Sequence, residues 1–172
     1  TYTGAGQTVA DVNYGNLVLK TGAKTWTLTA ARAINNNLDV QALSATTIGG
    51  PFDLNVAGNI SLASDLTKSS NAVVFANAAS AVSGTNDIIG SVTRTHVFAS
   101  VAYTFNNAAT TVNPSTNPTN VTTFTMNSLP STNPTGYTAG HTVNRKIVPS
   151  YTRSGAFTVD VHVDGHQLSV DF

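Results

Sequence analysis

Asp160, His162, Asp164 and His166 form the chain's densest gathering of metal-ligating side chains. Carboxylate oxygen and imidazole nitrogen are the ligands a divalent cation takes. Asp160 and His162, two positions apart, fall on one face of an extended strand. A cation site needs a second element converging on that face, and a single hairpin supplies none. The cluster therefore reads as a solvated strand face beside a turn aspartate, and no metal or cofactor is expected. Nucleophilic chemistry fares no better, because no Gly-x-Ser-x-Gly elbow surrounds any serine. Paired carboxylates for glycoside hydrolysis would have to come from the eight Asp, since Glu is absent. His96 and His141 stand apart from other ligands. The expectation is a protein that is not an enzyme.

Binding chemistry is better represented. Trp26 with Tyr2, Tyr14, Tyr103, Tyr137 and Tyr151 can supply a stacking platform for sugar rings, which makes a carbohydrate-binding or adhesin module, with a glycan partner, the alternative function. Against it, Trp26 alternates with Leu28 and such spacing sends both into a core. Asn59-Ile60-Ser61 and Asn120-Val121-Thr122 match the N-glycosylation acceptor pattern.

The elements that must carry these residues are β-strands. Of 172 residues, 27 are Thr, 18 Asn and 15 Ser, while only 9% are charged. Thr and Val favour pleated backbone, Asn, Gly and Ser favour turns, and most straight-chain helix formers are scarce. Eight Lys plus Arg balance eight Asp, so no positive field exists to hold phosphates, and nucleic acid is not expected as a partner. The most apolar run, residues 72–82, is broken by Asn77 and Ser80, far short of a membrane helix. Formal net charge is zero and cysteine is absent. A neutral Thr/Asn/Ser surface puts the chain in an extracellular or cell-surface setting, and low charge favours association of copies.

Alternating stretches separated by turn residues are read over 16–20, 25–29, 37–43, 52–57, 59–63, 72–76, 88–93, 96–105, 120–126, 142–149 and 157–172. Residues 77–82 can form a helical turn. Three Asn-Pro steps, at Pro114, Pro118 and Pro134, point to an extended loop, or a boundary between two subregions, over 110–119. At the C-terminus, Phe157, Val159, Val161 and Val163 alternate with polar residues before Asp164-Gly165, a two-residue hairpin turn. Pairing Val163 with His166 then sets Val161 opposite Leu168, Val159 opposite Val170 and Phe157 opposite Phe172 on one apolar face. Strand signals at roughly ten-residue intervals predict a single all-β domain over 1–172, a β-sandwich with two packed halves, 1–84 and 85–172. A short β-solenoid is the alternative, resting on Asn-Leu-x-Val-like phrases at Asn16, Asn37 and Asn59, spaced 21 and 22 residues apart.

Gly4-Ala5-Gly6-Gln7-Thr8-Val9, then Asn13-Tyr14-Gly15-Asn16-Leu17-Val18-Leu19 and Thr21-Gly22-Ala23-Lys24-Thr25, resemble the phrasing of large bacterial surface proteins. Gly58-Asn59-Ile60-Ser61-Leu62 and Ile88 to Thr95 followed by Tyr103-Thr104-Phe105-Asn106-Asn107 are similar to segments of the same secreted, adhesin-like repeat proteins. The resemblance implies a secreted β-rich surface module and no catalytic residues.

These readings converge on an extracellular structural protein that self-assembles into a filament or surface layer as a homo-oligomer or polymer. Donor-strand exchange through the N-terminus is one route to the joint. Residues 1–12 carry no charged side chain before Asp11; Gly4, Ala5 and Gly6 fit a narrow groove, and Tyr2, Val9 and Val12 serve as anchors.

Overall fold

The computed structural model describes residues 1–130, 145–163 and 166–171. In chain order the strands are β1 (Tyr2–Thr3), β2 (Gln7–Thr8), β3 (Leu17–Lys20), β4 (Lys24–Thr27), β5 (Arg32–Ile34), β6 (Leu38–Val40), β7 (Thr46–Gly49), β8 (Leu54–Val56), β9 (Ile60–Leu62) and β10 (Leu66–Phe75). There follow β11 (Val82–Gly84), β12 (Ile88–Arg94), β13 (Tyr103–Thr104), β14 (Thr111–Thr116), β15 (Val121–Pro130), β16 (Arg145–Arg153), β17 (Thr158–Val163) and β18 (His166–Asp171). The only helical element among the described residues is a 3-10 turn, Pro118–Asn120.

The chain is all-β and winds into a β-solenoid of about four turns. The sandwich expectation is corrected here, and the alternative is the observed fold. Short strands stack in parallel on equivalent strands of the next coil, as β3 on β6, β6 on β9 and β9 on β11. Leu17 faces Leu38, Leu38 faces Ile60 and Ile60 faces Val82, so the spacing of the Asn phrases is the length of one circuit. Period-two alternation is shared by parallel and antiparallel strands, which is why it alone pointed to a sandwich.

Each circuit has three faces. One carries β1, β3, β6, β9 and β11; a second carries β2, β4 and β7; a third begins at a bridge from Tyr14 to Ile34 and continues through β5 and β8. β10 covers the second and third faces in one strand, pairing first with β7 and then with β8. Inward positions superpose into columns of fully buried Leu, Ile and Val, for example Leu19, Val40 and Leu62.

Corners between faces are tied by Asx side chains. Asn16 Oδ1 accepts the Asn37 N–H (3.2 Å), Asn37 Oδ1 the Asn59 N–H (2.8 Å) and Asn59 Oδ1 the Ala81 N–H (2.9 Å). Ala81 has no such acceptor to offer, and one coil later the pattern ends: the Val82 N–H donates to Thr104 Oγ1 (2.7 Å). Asp53 and Asp65 do the same at other corners, receiving the N–H groups of Ala72 and Asp87.

Beyond the last coil the pairing turns antiparallel. β12 takes β15 on its far edge and β15 takes β16, while β13, β14, β17 and β18 form a separate four-stranded sheet. The sheet containing β12 begins in the first predicted half and continues through the second. The C-terminal register is as expected from the alternation: Val163 faces His166, Val161 faces Leu168 and Val159 faces Val170. The Asp164-Gly165 turn and the Phe172 end of that register lie outside the described residues, as do the Pro134 step and residues 142–144 of a predicted strand. Two local expectations are corrected. Residues 77–82 form a turn held by the Ser80 N–H to Asn77 carbonyl bond (3.2 Å), without a helix. The predicted loop over 110–119 contains β14, whose Pro114 is accommodated where the register with β17 shifts.

Tight corners require glycine where coils touch. A Cβ on Gly50 (φ +90°) would lie 2.1 Å from the Leu28 carbonyl oxygen, whereas one on Gly6 (φ +64°) would meet nothing within 4 Å. Gly6→Ala is therefore expected to cost roughly 1 kcal/mol of left-handed strain. Gly50→Ala, adding a backbone collision, should cost roughly 3 kcal/mol or more, read from urea midpoints. Equal losses would show that the coils are not packed this closely.

Candidate functional site

Two places offer chemistry: the outer edge of the first coil, and a cleft beside β10. The first coil is short. Tyr2 faces Leu19, 17 residues on, against the 22 that separate Leu38 from Ile60. Its end is closed by two phenols: Tyr2 Oη lies 2.7 Å from Tyr14 Oη, the Ala10 N–H donates to Tyr2 Oη (2.9 Å), and Tyr14 Oη donates to the Ala10 carbonyl (2.9 Å). Tyr14 in turn meets the buried Trp26 edge-on at 5.6 Å. Burial pushes the Tyr14 hydroxyl well above its ordinary pKa, with Tyr2 acting in the same direction, so the Tyr14 phenol stays a neutral hydrogen-bonding group.

The predicted interface residues all sit here, with different exposures. Tyr2 is half-buried in β1, Gly4 and Gly6 have positive φ in the turn between β1 and β2, and Ala5 is exposed in that turn. Val9 is in the core and Val12 is 49% exposed. The coil is fastened to the next by Lys24, whose buried ammonium donates to the carbonyls of Gly4 (2.5 Å), Lys20 (2.8 Å), Thr21 (2.7 Å) and Gly22 (2.9 Å). On the surface, Asp11 accepts two bonds from Arg32 (2.7 and 2.9 Å) and two from Thr29. The Arg32 guanidinium holds the Asp11 carboxyl well below the usual carboxylate range.

Sequence reasoning missed the inward cations, because Lys and Arg normally read as surface. Arg94 occupies the column between Phe75 and Phe124. Its Nε donates to the Thr104 carbonyl (3.0 Å) and its Nη2 to the carbonyls of Ser80 (2.7 Å) and Thr104 (2.8 Å), while the guanidinium lies 4.8 Å from the Phe75 ring centre. Burial pushes its pKa down to about 10, so it remains a cation at neutral pH. Lys68, third of the set, is 3% exposed and donates to the carbonyls of Gly50 and Ser70.

A cleft of about 330 Å³ opens beside Lys68, between β10, β12 and β15. It exists because β10 leaves its register with β12 between Thr67 and Ala72, with Asn71 in the left-handed region at φ 59°. Gly90 and Ser128, the small residues that follow Lys68 toward the C-terminal end, leave the space unfilled. Its wall combines hydroxyl, amide and main-chain groups and Lys68 with the aliphatic Ile89 and Leu129, and has no acidic side chain and no aromatic ring.

The remaining predicted groups are dispersed. Trp26 is fully buried and Tyr103 nearly so, which leaves Tyr151, 36% exposed, as the most accessible described ring of the proposed platform. Tyr137 and His141 lie outside the described residues. Asp160 and His162 face Asn113 and Thr111 of β14 on one side and Ser169 and Gln167 of β18 on the other. Among the described residues, no group of three or more His, Asp or Glu converges as a metal site; Asp164 is outside them. No helix among them is long and apolar enough to cross a membrane. No family profile, curated protein or solved structure matches this chain.

His96 lies two residues after Arg94, its ring 4.5 Å from that of Phe98 and 4.8 Å from that of Tyr103. Its Nε2 is buried without a hydrogen-bond partner. Burial holds the imidazole below its ordinary value of 6.5, and the Arg94 charge adds to this. The unfolded chain therefore takes up that proton first as pH falls. The stability His96 contributes is complete above about pH 6.5 and is lost as pH drops toward the lower folded value. The thermal midpoint of the full chain should fall between about pH 7.5 and about pH 5, and His96→Gln should flatten part of that fall. An identical pH profile in the variant would assign the loss to other groups.

Proposed function

We propose that the chain is a non-catalytic structural module of an extracellular or cell-surface assembly, and that copies join through the first coil. The observation that carries this reading is the asymmetry of the solenoid's ends. β1 pairs only with β3 and β2 only with β4, so the first coil presents two strand edges, whereas at the opposite end β12 is covered by the antiparallel β15 and β11 ends its sheet as an edge. Unpaired main-chain groups on an edge strand are a template for another chain. A surface of formal net charge zero adds little repulsion between copies.

Tyr2 and Gln7 already pair within their own chain, and Val9 is in its own core. Donor-strand exchange would require those pairings to be released. Edge stacking of the folded coil requires nothing to be undone, and it uses the same residues, with Tyr2 and Val12 at the contact and Gly4, Ala5 and Gly6 allowing close approach. The chain should accordingly show concentration-dependent association by sedimentation, and ordered oligomers or fibres in electron micrographs. Thr8→Pro, which removes an edge N–H, should weaken that association while leaving the thermal midpoint nearly unchanged. A full chain that stays monomeric, or a Thr8→Pro chain that associates equally well, would refute the reading.

A further inference from the structure

The three inward cations differ in how completely they are satisfied. An ammonium has three hydrogens to place. Lys24 reaches four carbonyls at 2.5–2.9 Å, more acceptors than it has hydrogens. Arg94 is enclosed by two carbonyls and the rings of Phe75, Tyr103 and Phe105, and its Nη1, buried without a hydrogen-bond partner, lies outside the cleft lining. Lys68 has the Ser70 carbonyl close by and the Gly50 carbonyl at 3.4 Å, and it alone of the three lines the cleft beside β10. Asp53 acts on it through space, but its Oδ1 is engaged by the Ala72 N–H at 2.9 Å. Lys68 is thus a buried positive charge with donor capacity unfilled at the wall of an open cavity.

We propose that this cleft binds the carboxylate of an acidic sugar, a hexuronate unit, with the Lys68 ammonium as charge partner and Ser70, Asn71, Ser91 and Asn127 meeting the ring hydroxyls. Hydroxyl and amide groups both donate and accept, as sugar hydroxyls do, so either orientation of each contact can be satisfied. No carboxylate lines the cleft to repel an anion. With no aromatic ring in the wall to stack on, selectivity falls to charge. The volume is at the lower end of the ~300–1,000 Å³ typical of small-ligand sites, which fits one sugar unit and its water. Burial lowers the Lys68 pKa, and a bound carboxylate reverses that penalty by pairing it. This inference is independent of the assembly reading, since β10, β12 and β15 lie away from the first coil.

The test is a titration of the ¹⁵N-labelled full chain with glucuronate, glucose and acetate in parallel, following amide shifts. Glucuronate should give saturable shifts confined to Ser69, Ser70, Asn71, Gly90, Ser91 and Asn127, and should bind roughly tenfold or more tightly than glucose, the margin of one charge-assisted hydrogen bond. Acetate should bind more weakly than glucuronate, because it lacks the hydroxyls. Lys68→Met should reduce glucuronate to the affinity of glucose. Should that variant fail to fold, Ser91→Ala with Asn127→Ala replaces it and should weaken glucuronate while leaving acetate unchanged. Absence of saturable shifts, shifts elsewhere, glucose equal to glucuronate, or acetate equal to glucuronate would each overturn the proposal.

Discussion

Stacking of one coil on the next at a fixed register is the constraint on which this molecule depends. Parallel strands of three or four residues are too short to hold position alone, so the corners must hold it. The Asn16, Asn37 and Asn59 carboxamides do so by accepting N–H groups that would otherwise be left open where the backbone turns. Once the corner is fixed, every inward side chain falls above its counterpart one circuit earlier. Leu17, Leu38, Ile60 and Val82 then form one dry column without any long-range design beyond the repeat. The same constraint explains Gly50 and Gly84, whose missing Cβ atoms are replaced by the carbonyls of Leu28 and Leu62 in the neighbouring coil.

A stacked backbone also presents carbonyls at its corners, and the inward cations use them. Lys24, Lys68 and Arg94 are buried, and their side chains donate to main-chain carbonyls. A buried ammonium is costly unless its hydrogens are bonded. Four carbonyls around Lys24 supply that bonding and tie the first coil to the second. Arg94 is accommodated differently, by π faces above and beside it, in a layer where the solenoid gives way to antiparallel strands. The closed first coil, the aromatic layer at Arg94 and the part-filled site at Lys68 are three outcomes of one problem: ending or interrupting a column whose repeat cannot continue.

How much of this was legible in the sequence depended on whether a signal was local. Val159, Val161 and Val163 announced their pairing with Val170, Leu168 and His166 because alternation and turn lie within sixteen residues. The 21- and 22-residue spacing of the Asn phrases was equally visible, and it proved to be the coil length. It is a weak repeat signal because only three phrases match: Ala81 stands where a fourth Asn would continue the series. β5 and β7 escaped notice since Arg32-Ala33-Ile34 and Thr46-Thr47-Ile48-Gly49 are too short and too polar to alternate clearly. The inward direction of Lys24, Lys68 and Arg94 was illegible, because what makes it tolerable is a set of carbonyls from other coils. Gly4, Ala5 and Gly6 mark the N-terminal segment in the sequence, but its closure by Tyr2 and Tyr14 depends on contacts twelve residues apart.

In-register stacking is most directly measured by cross-linking, since the chain has no cysteine of its own. Asp39 and Ser61 face each other on adjacent coils, and Ser61 faces Ser83 on the next. Adjacent parallel strands lie about 4.8 Å apart, inside the range a disulfide spans, while two coils are about twice that and outside it. The double variant D39C/S61C should oxidise to a single intramolecular disulfide that matures without loss of the β-sheet spectrum, and D39C/S83C should remain reduced under the same conditions. Failure of the first pair to close, or closure of both pairs equally, would contradict a solenoid stacked at this register.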